Sequence, residues 1–580
     1  AMKDTVVAWS IESTTTGSIA AQTSTDTSSN TITDTRFGVA TAKVPGKTRV
    51  NAVVGPAIST PDPNYHELIR PHQAVPADFT VCPVSQITIA DNASPATTLP
   101  LASAGTLTLK PTVTDSRGVP VFLSKTDTSG TTPTTTAIFG LTWTSLFPIP
   151  AGVSAAAAAG TATVTATSNP GTTTIIASCT PPACNLGLGA IYSNAFVVPV
   201  SGTSSGTTVY VGSSAPAPDS NTTAPGKTLY PITTSDNKVG TAITLGDVPN
   251  SMAFNRTGTL LYMGSASGLM TVTTAVNTAS TPLTTAPGKI LAISPNNTFI
   301  VLSDNSKVYV VDVTTNAVQT FNIAGATAAD FAPDSSRAYI VGGNQLTVYA
   351  SGIFPVPQSL TGATDVNFLA SGPFGYIADP AGLSVRATCN DLSSLVPYDT
   401  GTAAPIPISP APTFVRALPD GLHLITASSP DMNLIKVTTD AKGFLSPATG
   451  CAPNVSNTIA TTAALGTSFT PRQLIVSGDG TKAFVLSNSG TLLGATIDIS
   501  AGTVTPVSIS LQTSVSGTPQ SATVQQTTGG ITTDGKLLFF GGNDNQIHRI
   551  DLTATTPTDT PITLASPPTG FTVEFVAVKP

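Results

Sequence analysis

Short runs in which apolar and polar residues alternate recur along the whole chain, and this period of two predicts β-strands. The segments Gln86–Ile89, Gly105–Val113 and Val119–Leu123 are typical runs of this kind. Clusters of Asp, Asn, Gly and Pro separate the runs, so tight turns are expected between the strands. β-Branched residues dominate and strong helix formers are few, so we expect an all-β chain.

Two segments before residue 200 share a longer pattern. Trp9 and Trp143 are the only tryptophans, and each lies in a short apolar run. Each is followed by a matching stretch, Phe37–Ala52 in the first segment and Ala162–Ala177 in the second, with a Pro-Gly turn at the same place. A Trp-bearing strand, an alternating strand, a Pro-Gly turn and a final strand are typical of a small β-sandwich. The pattern resembles the bacterial Ig-like group 2 family, which implies Ig-like modules.

The two copies differ in completeness, because strands precede Trp143 whereas only a few residues precede the Trp9 strand. The first module is therefore expected to lack its opening strands. Either they were removed with the start of the chain, or another chain supplies a strand to the open sheet. We assign residues 1–55 to this incomplete module, 56–80 to a Pro-rich linker, 81–202 to the second module and 203–580 to a further domain.

That further domain is built from a repeated unit: a short apolar strand, a turn rich in Asp, Asn and Gly, a strand of Val, Tyr and Phe, and two more strands. The start of the unit is clearest in four segments, Pro249–Gly264, Pro287–Leu302, Ala328–Gly342 and Arg472–Leu486. Weaker copies are Val366–Ile377, Phe414–Thr426 and Gly530–Gly541. The unit resembles the YVTN-type repeat of β-propellers. The resemblance implies an innermost strand that lines a channel and a second strand buried between blades.

The two ends of this domain complement each other. Thr207–Gly212 reads as a second strand without a first, and Gly570–Pro580 reads as a first strand without a second. Joined, they complete one blade and close the ring with few open edges. We therefore predict eight blades; seven would result if the weak copy Val366–Ile377 were an insertion.

The composition excludes several classes of partner. Of 580 residues 40% are hydrophobic and 9% charged, and the net charge is −7. Since no Lys/Arg cluster is present to neutralise phosphates, nucleic acid is not expected as a partner. No run approaches the roughly 20 apolar residues that span a bilayer, so no transmembrane segment is expected.

The five cysteines lead us to expect an extracellular or cell-surface location. No CxxC is present and the four histidines are not spaced with the cysteines as metal ligands, so neither a metal nor another cofactor is expected. Disulfides in an oxidising compartment are the better explanation. Cys179 and Cys184 would close a short loop, Cys389 and Cys451 would meet across neighbouring blades, and Cys82 would lack an internal partner.

No catalytic residue is expected. The sequence contains no P-loop, GxSxG or HExxH motif. Equivalent turn positions are occupied by Asp334, Asp420, Asp479 and Asp534, which indicates turn formation. The strand patterns around His423 and His548 predict packed, hydrogen-bonded side chains.

Two insertions, Ala387–Pro407 and Ala441–Thr461, lengthen neighbouring blades, and long loops on one rim often bind partners. The aromatic residues near them, Tyr398, Phe414 and Phe444, are candidate rim residues for a sugar or a protein.

The function we expect is that of a non-catalytic extracellular surface protein, in which Ig-like modules form a stalk and the propeller binds a surface, a glycan or a protein. One alternative is a subunit that assembles with copies of itself by strand donation to the first module. Another is an enzyme similar to propeller lactonases or lyases.

Overall fold

The computed structural model describes residues 5–14, 17–25, 31–42, 46–56, 72–73, 77–81, 84–115, 117–121, 123–127, 134–137, 140–155, 160–179, 190–203, 206–217, 223–350, 357–372, 374–387, 405–439, 455–466, 468–515 and 517–580. In these residues the chain forms β-strands and one short 3-10 helix, Pro225–Lys227. The expectation of an all-β chain is confirmed.

Six strands lie before residue 82: β1 (Thr5–Ile11), β2 (Gly17–Thr25), β3 (Thr31–Ala42), β4 (Gly46–Pro56), β5 (His72–Gln73) and β6 (Ala77–Val81). β1, β5 and β6 pair with β4, and β2 pairs with β3. Gly38 on β3 lies so close to Trp9 that a Cβ atom there would be 2.6 Å from the indole ring. β5 and most of β6 come from the segment expected to be a linker, so the end of that segment belongs to a sheet.

Eleven strands follow: β7 (Val84–Asp91), β8 (Leu101–Ala102), β9 (Thr106–Asp115), β10 (Ser124–Asp127), β11 (Thr134–Ala137), β12 (Thr142–Ser145), β13 (Ala151–Ala155), β14 (Ala162–Ala166), β15 (Gly171–Cys179), β16 (Ile191–Tyr192) and β17 (Phe196–Ser201). One sheet has the order β12-β15-β17-β8, with β16 on β15, and the other has β13-β14-β9-β7. Residues 84–201 are called the sandwich below.

The two sheets of the sandwich share one core. Ile87 and Val164 from one sheet pack with Ile175 and Phe196 from the other, and each is at most 2% exposed. Such burial contributes roughly 1.5–3 kcal/mol for each large aliphatic side chain. The expected strand Val119–Leu123 contributes only a bridge to Thr114. Assignment of the sandwich to the Ig-like class stays a prediction.

The described residues after 201 form 33 further strands. The first half are β18 (Thr208–Gly212), β19 (Thr228–Thr233), β20 (Ile243–Thr244), β21 (Pro249–Phe254), β22 (Leu260–Ser265), β23 (Met270–Thr273), β24 (Thr278–Ala279), β25 (Lys289–Ile293), β26 (Phe299–Ser303), β27 (Val308–Asp312), β28 (Ala317–Phe321), β29 (Ala326–Phe331), β30 (Ala338–Gly342), β31 (Gln345–Tyr349), β32 (Gln358–Ser359), β33 (Asp365–Phe368) and β34 (Phe374–Asp379). The others are β35 (Gly382–Ala387), β36 (Phe414–Ala417), β37 (His423–Ser428), β38 (Asp431–Thr439), β39 (Val455–Ala464), β40 (Pro471–Val476), β41 (Lys482–Ser487), β42 (Thr491–Asp498), β43 (Thr503–Ser510), β44 (Gln512–Val515), β45 (Thr518–Ser521), β46 (Gln526–Ile531), β47 (Leu537–Gly542), β48 (Ile547–Asp551), β49 (Thr558–Ile562) and β50 (Phe575–Val578).

These strands form a closed ring of antiparallel sheets, each of which we interpret as a blade. In the part described, blade 1 is β50-β18-β19-β20, blades 2, 3 and 4 are β21–β24, β25–β28 and β29–β32, blade 5 is β33–β35, and blades 6, 7 and 8 are β36–β39, β40–β43 and β46–β49. The innermost strand of each blade contacts that of the next, from β50 through β21 to β46 and back to β50. This is a β-propeller. Pairing of β50 with β18 confirms the predicted joining of the two ends.

The order of residues within a blade explains its layers. The second strands, such as β30, β37 and β41, are almost entirely buried, because they are covered on both faces by neighbouring blades. Outermost strands such as β28 and β43 are largely exposed, and β43 is rich in Thr and Ser. Blade 5 has three strands, and a bridge between Leu383 and Ile406 continues it outward.

Candidate functional site

The innermost strands surround a channel on the axis of the propeller. Ala253, Ala292 and Asn367 are the last residues but one of the inner strands β21, β25 and β33, and they remain partly exposed. Each is flanked by the inner strand of the next blade and backed by its own second strand. The exposed fraction therefore faces the channel, and solvent reaches its centre.

Neighbouring inner strands run in the same direction around this channel. Equivalent residues meet: the Thr364 hydroxyl of blade 5 donates to the carbonyl oxygen of Thr413 in blade 6, at 2.9 Å. The turns that join each inner strand to its second strand, called the first turns below, consequently lie at one end of the channel. We call that end the sandwich end and the opposite end the open end.

Contacts with blades 2 and 6 hold the sandwich against the first turns. The Thr174 hydroxyl donates to the carbonyl oxygen of Pro419 in blade 6, at 2.7 Å. On blade 2, the guanidinium carbon of Arg256 lies 5.3 Å from the centre of the Phe147 ring, a cation–π geometry. Blades 2 and 6 are opposite each other in the ring.

Contacts with blades 4 and 8 also hold the sandwich at this end of the propeller. Burial and the contact with Asp334 of blade 4 raise the pKa of Tyr192 well above its usual range. Gly171 lies so close to blade 8 that a Cβ atom there would be 2.7 Å from the carbonyl oxygen of Thr533. Because the sandwich touches two pairs of opposite blades, it crosses the axis and covers this end of the channel.

A polar cluster lies on one wall of the channel, at the same position in blades 4, 5 and 6. Asp330 Oδ2 accepts hydrogen bonds from Asn367 Nδ2, at 2.7 Å, and from the backbone N–H of Phe368, at 2.9 Å. Asn367 Oδ1 in turn accepts from the backbone N–H of Ala417, at 2.6 Å. Each side chain thus links its strand to the backbone of the next.

Arg416 and Asp365 extend this cluster. The Arg416 guanidinium forms an ion pair with Asp365, and Asp365 Oδ2 also accepts from the backbone N–H of Val415, at 3.0 Å. Burial raises the pKa of Asp330 to about 6, although a backbone hydrogen bond and the charges of Arg256 and Arg416 act in the opposite direction. The cluster, Asp330, Asp365, Asn367 and Arg416, is called the channel cluster.

A second set of polar residues surrounds the open end. In blades 2 to 8 the residue five positions before the first residue of the first turn is polar, and in blade 1, where no turn joins β50 to β18, Glu574 lies at the matching position. We call this set the mouth ring: Asn250, Lys289, Thr327, Thr364, Thr413, Arg472, Thr527 and Glu574. Five of the eight, Asn250, Lys289, Thr327, Thr364 and Arg472, are exposed and the other three are partly buried.

A repeated backbone irregularity sets the mouth ring apart from the rest of the inner strands. The pairing of inner and second strands shifts at Asn250, Thr327 and Arg472, and again beside Thr527. A β-bulge leaves its extra residue unpaired and redirects its side chain, and bulges are common at the rims of closed sheets. Four of the eight ring residues therefore lie at or beside a bulge, whereas Lys289 is regularly paired with Ser303 and the shift in blade 3 lies at Leu291.

Sequence analysis missed both the channel cluster and the mouth ring. The signal that would have found them is the alignment of the repeats, since Asp330, Asn367 and Arg416 share one position and the mouth ring shares another.

One of the three predicted rim residues, Phe414, lies in the described part of the chain. Phe414 lies on the innermost strand β36, with its ring 6.0 Å from the Arg416 guanidinium carbon, so it belongs to the channel rather than to the outer rim. Tyr398 and Phe444 lie outside the described residues, as does most of each insertion. The two insertions connect the third strand to the outer part of blades 5 and 6.

Only one of the five cysteines is described. Cys179 ends β15, is buried at 2% exposure and is disulfide-bonded. Cys82, Cys184, Cys389 and Cys451 lie outside the described residues, so the predicted pairs stay predictions.

The turn aspartates form the hydrogen bonds that their positions predict. Asp420 Oδ1 accepts from the backbone N–H groups of Leu422 and His423, and Asp479 Oδ1 accepts from that of Thr481, at 3.0 Å. Asp334 and Asp534 do the same with the residues two positions on. His423 and His548 are buried and hydrogen-bonded, as predicted.

Among the residues described, no group of three or more His, Cys, Asp or Glu side chains is arranged to hold a metal ion. The same part of the chain contains no helix long and apolar enough to cross a membrane.

No protein-family model and no curated protein matches the sequence. Similar solved structures include the Cps50 (Swd1) β-propeller domain of Myceliophteria thermophila, with 13% identity, a TM-score of 0.38 and coverage of 52% of this chain and 95% of that one. The dihydro-heme d1 dehydrogenase NirN in complex with DHE has 13% identity, a TM-score of 0.41 and coverage of 62% and 74%. The C-terminal WD40 domain of Sif2 has 12% identity, a TM-score of 0.40 and coverage of 58% and 90%. The assignment as a β-propeller rests on the closed ring of sheets and not on these similarities.

Proposed function

We propose that the chain is a non-catalytic extracellular binding protein. The sandwich forms the base on which the propeller stands, and the open end of the propeller binds a surface, a glycan or a protein. The observation that carries the proposal is that the sandwich covers the first turns of opposite blades. Partners are left with the loops and the mouth ring at the other end.

A non-catalytic role is supported by how the channel cluster uses its polar atoms. The oxygens of Asp330, Asp365 and Asn367 accept hydrogen bonds from backbone N–H groups of the next blade. A carboxylate whose oxygens are taken up by such bonds stabilises neighbouring strands, whereas a general base needs a free lone pair for a substrate proton.

Extracellular placement is supported by two properties of the chain. Charged residues are only 9% of the sequence, so hydroxyl groups supply much of the polar surface. The disulfide bond of Cys179 fits an oxidising compartment.

The test places the same bulky residue at each end of the propeller. Ser306 lies at the open end in blade 3, and Ser500 lies in the turn between the third and outermost strands of blade 7, at the sandwich end. Each is exposed, and each donates its hydroxyl to an aspartate two residues earlier, Asp304 or Asp498. They are therefore matched sites for Ser306→Trp and Ser500→Trp.

Full-length proteins are applied to an array of immobilised glycans and extracellular proteins, and dissociation constants are measured for each retained probe. We expect Ser306→Trp to weaken binding about tenfold and Ser500→Trp to change it less than about twofold. Retention of no probe, or equal effects of the two substitutions, would contradict binding at the open end.

Self-assembly is the second candidate, and the position of β1 favours it. β1 stands at the edge of the sheet β1-β4-β5. Glu12 donates its backbone N–H to the carbonyl oxygen of Arg49 on β4, so by alternation the N–H group of Val7 points away from β4. Light scattering over a wide concentration range detects assembly, and Val7→Pro, which removes an outward donor, abolishes it if β1 accepts a strand.

A further inference from the structure

We propose that the channel is a blind well whose mouth ring takes the end of a neutral glycan chain. The inference rests on the proposed function, because it assumes that the open end is where ligands bind. It goes further by naming the chemical class of the ligand and the part of the ligand that enters.

The well is blind because its two ends differ. Partly exposed side chains such as Ala253 and Ala292 show that solvent enters the channel. At the sandwich end, Phe147 packs on Arg256 and Thr174 bonds to Pro419 on the opposite side of the ring. A polymer that threads the channel would have to displace the sandwich, so only a chain end fits.

The mouth ring offers donors and acceptors around one opening, which suits a molecule covered with hydroxyl groups. Thr364 donates its hydroxyl proton to Thr413, and the Thr527 hydroxyl donates to the carbonyl oxygen of Val573, at 3.3 Å. A hydroxyl that donates its proton keeps two lone pairs as acceptors. Lys289 and Arg472 add ammonium and guanidinium donors on opposite blades.

Charges of both signs surround the mouth, which favours a neutral ligand. Lys289 pairs with Ser303, and the carboxylate of Asp304 and the ammonium of Lys307 lie in the turn that follows. The ring also holds Arg472 and Glu574, so cations and carboxylates are mixed around the opening. Since no single sign dominates, the opening has no field that would select an acidic or a basic chain.

Phe414 supplies an apolar surface just inside the ring. It follows Thr413 as the first residue of β36, packs against the core between blades 6 and 7 and remains partly exposed. Binding sites for small molecules combine such apolar surface with a few placed polar groups. A terminal sugar unit presents both an apolar ring face and several hydroxyls.

The test uses linear oligosaccharides of glucose, mannose and N-acetylglucosamine, with a long polymer of each repeating unit and with uronate oligosaccharides as the anionic comparison. Affinity is measured for the full chain by titration calorimetry. Recognition of chain ends predicts a constant affinity per chain, so that affinity per unit mass falls as the polymer lengthens. Recognition of internal segments predicts a constant affinity per unit mass.

Exposed residues of the ring provide the variants. Lys289→Ala and Thr327→Ala are each expected to weaken binding about tenfold. Lys307→Ala is the control, because Lys307 is exposed at the same end of blade 3 but lies outside the ring; it should change affinity less than about twofold. Circular dichroism of each variant checks that the fold is retained.

Three results would overturn the inference, and they separate it from the proposed function. Binding of a protein on the array without binding of any oligosaccharide refutes the glycan and leaves binding at the open end intact. Oligosaccharide affinity that is unchanged by Lys289→Ala and Thr327→Ala, or that is constant per unit mass, refutes the blind well. Retention of no probe at all refutes the proposed function as well.

Discussion

A buried histidine between two carboxylates is the most strongly charged feature of blade 8. His548 is fully buried; its Nδ1 lies 2.8 Å from Asp559 Oδ2 and its Nε2 lies 3.2 Å from Asp544 Oδ1. Its ring stacks on Phe540, with centroids 5.0 Å apart. Asp559 also accepts from the backbone N–H of Gln512, so the group joins blade 8 to the hairpin β44–β45.

This arrangement predicts a pH dependence of stability. Burial alone would lower the pKa of His548, but hydrogen bonds with Asp544 and Asp559 outweigh it and raise the pKa to about 9. The folded pKa lies above the unfolded value of about 6.5, so the stabilisation is complete below pH 6.5 and is lost as the pH rises through 9. The slope approaches about 1.4 kcal/mol per pH unit in that window.

Amide hydrogen exchange of peptides from β47 to β49, measured from pH 6 to pH 9.5 after correction for intrinsic rates, tests this dependence. Wild-type protection should fall across the window, whereas His548→Asn, which cannot be protonated there, should be less protected at low pH and show no such fall. Identical pH profiles for the two proteins would show that His548 is neutral in the folded state.

At the scale of elements, β50 decides whether the ring has an exposed edge. It pairs with β18 on one side, and Val576 donates its backbone N–H to Thr528 of blade 8, at 2.9 Å. Its apolar side chains join a core with Val209 and Val211. Without β50, the inner edge of β18 would be an unpaired strand edge that invites aggregation.

Ala577, which pairs with Tyr210 in the centre of β50, is the site for a test of this closure. Ala577→Pro removes a backbone donor from the ladder and should open the ring, with faster proteolysis in blade 1 and aggregation on gel filtration. Ala577→Ser keeps the donor and is the control. Equal protease resistance of the two variants would mean that β50 is not needed for closure.

At the scale of the whole molecule, the sandwich and the propeller are joined through closely packed turns. Gly421, in the first turn of blade 6, has a φ of 69°. A Cβ atom there would lie 2.5 Å from the Ser371 hydroxyl oxygen of blade 5 and 2.9 Å from Ala195 Cβ of the sandwich, closer than side chains approach. Gly535 holds the equivalent turn of blade 8 with a φ of 67°, but a Cβ atom there would meet only Ser477, at 3.7 Å.

The two glycines therefore separate backbone strain from loss of the interface. Both Gly421→Ala and Gly535→Ala place a side chain at positive φ, which costs roughly 1–2 kcal/mol. Only Gly421→Ala also pushes the sandwich away, so it should increase amide exchange in residues 190–201, whereas Gly535→Ala should leave that segment unchanged. Equal exchange in the two variants would contradict tight packing at the sandwich end.

Local patterns were enough to predict the layers of this protein. Alternation and turn residues predicted the strands, the buried second strands and the turn aspartates, because these depend on backbone geometry and on contacts between residues close in sequence. The joining of Gly570–Pro580 to Thr207–Gly212 was also predictable, since each fragment lacks what the other supplies.

The candidate site depended on contacts between residues far apart in the chain. Asp330 and Asn367 are 37 residues apart, and Thr174 and Pro419 are 245 apart. Nothing local to Phe147 or Tyr192 indicates that the sandwich covers the channel, because the cover arises only when the ring has closed and its first turns lie at one end. Strand periodicity fixes which face a side chain takes, whereas packing of the closed ring decides which side chains share an opening.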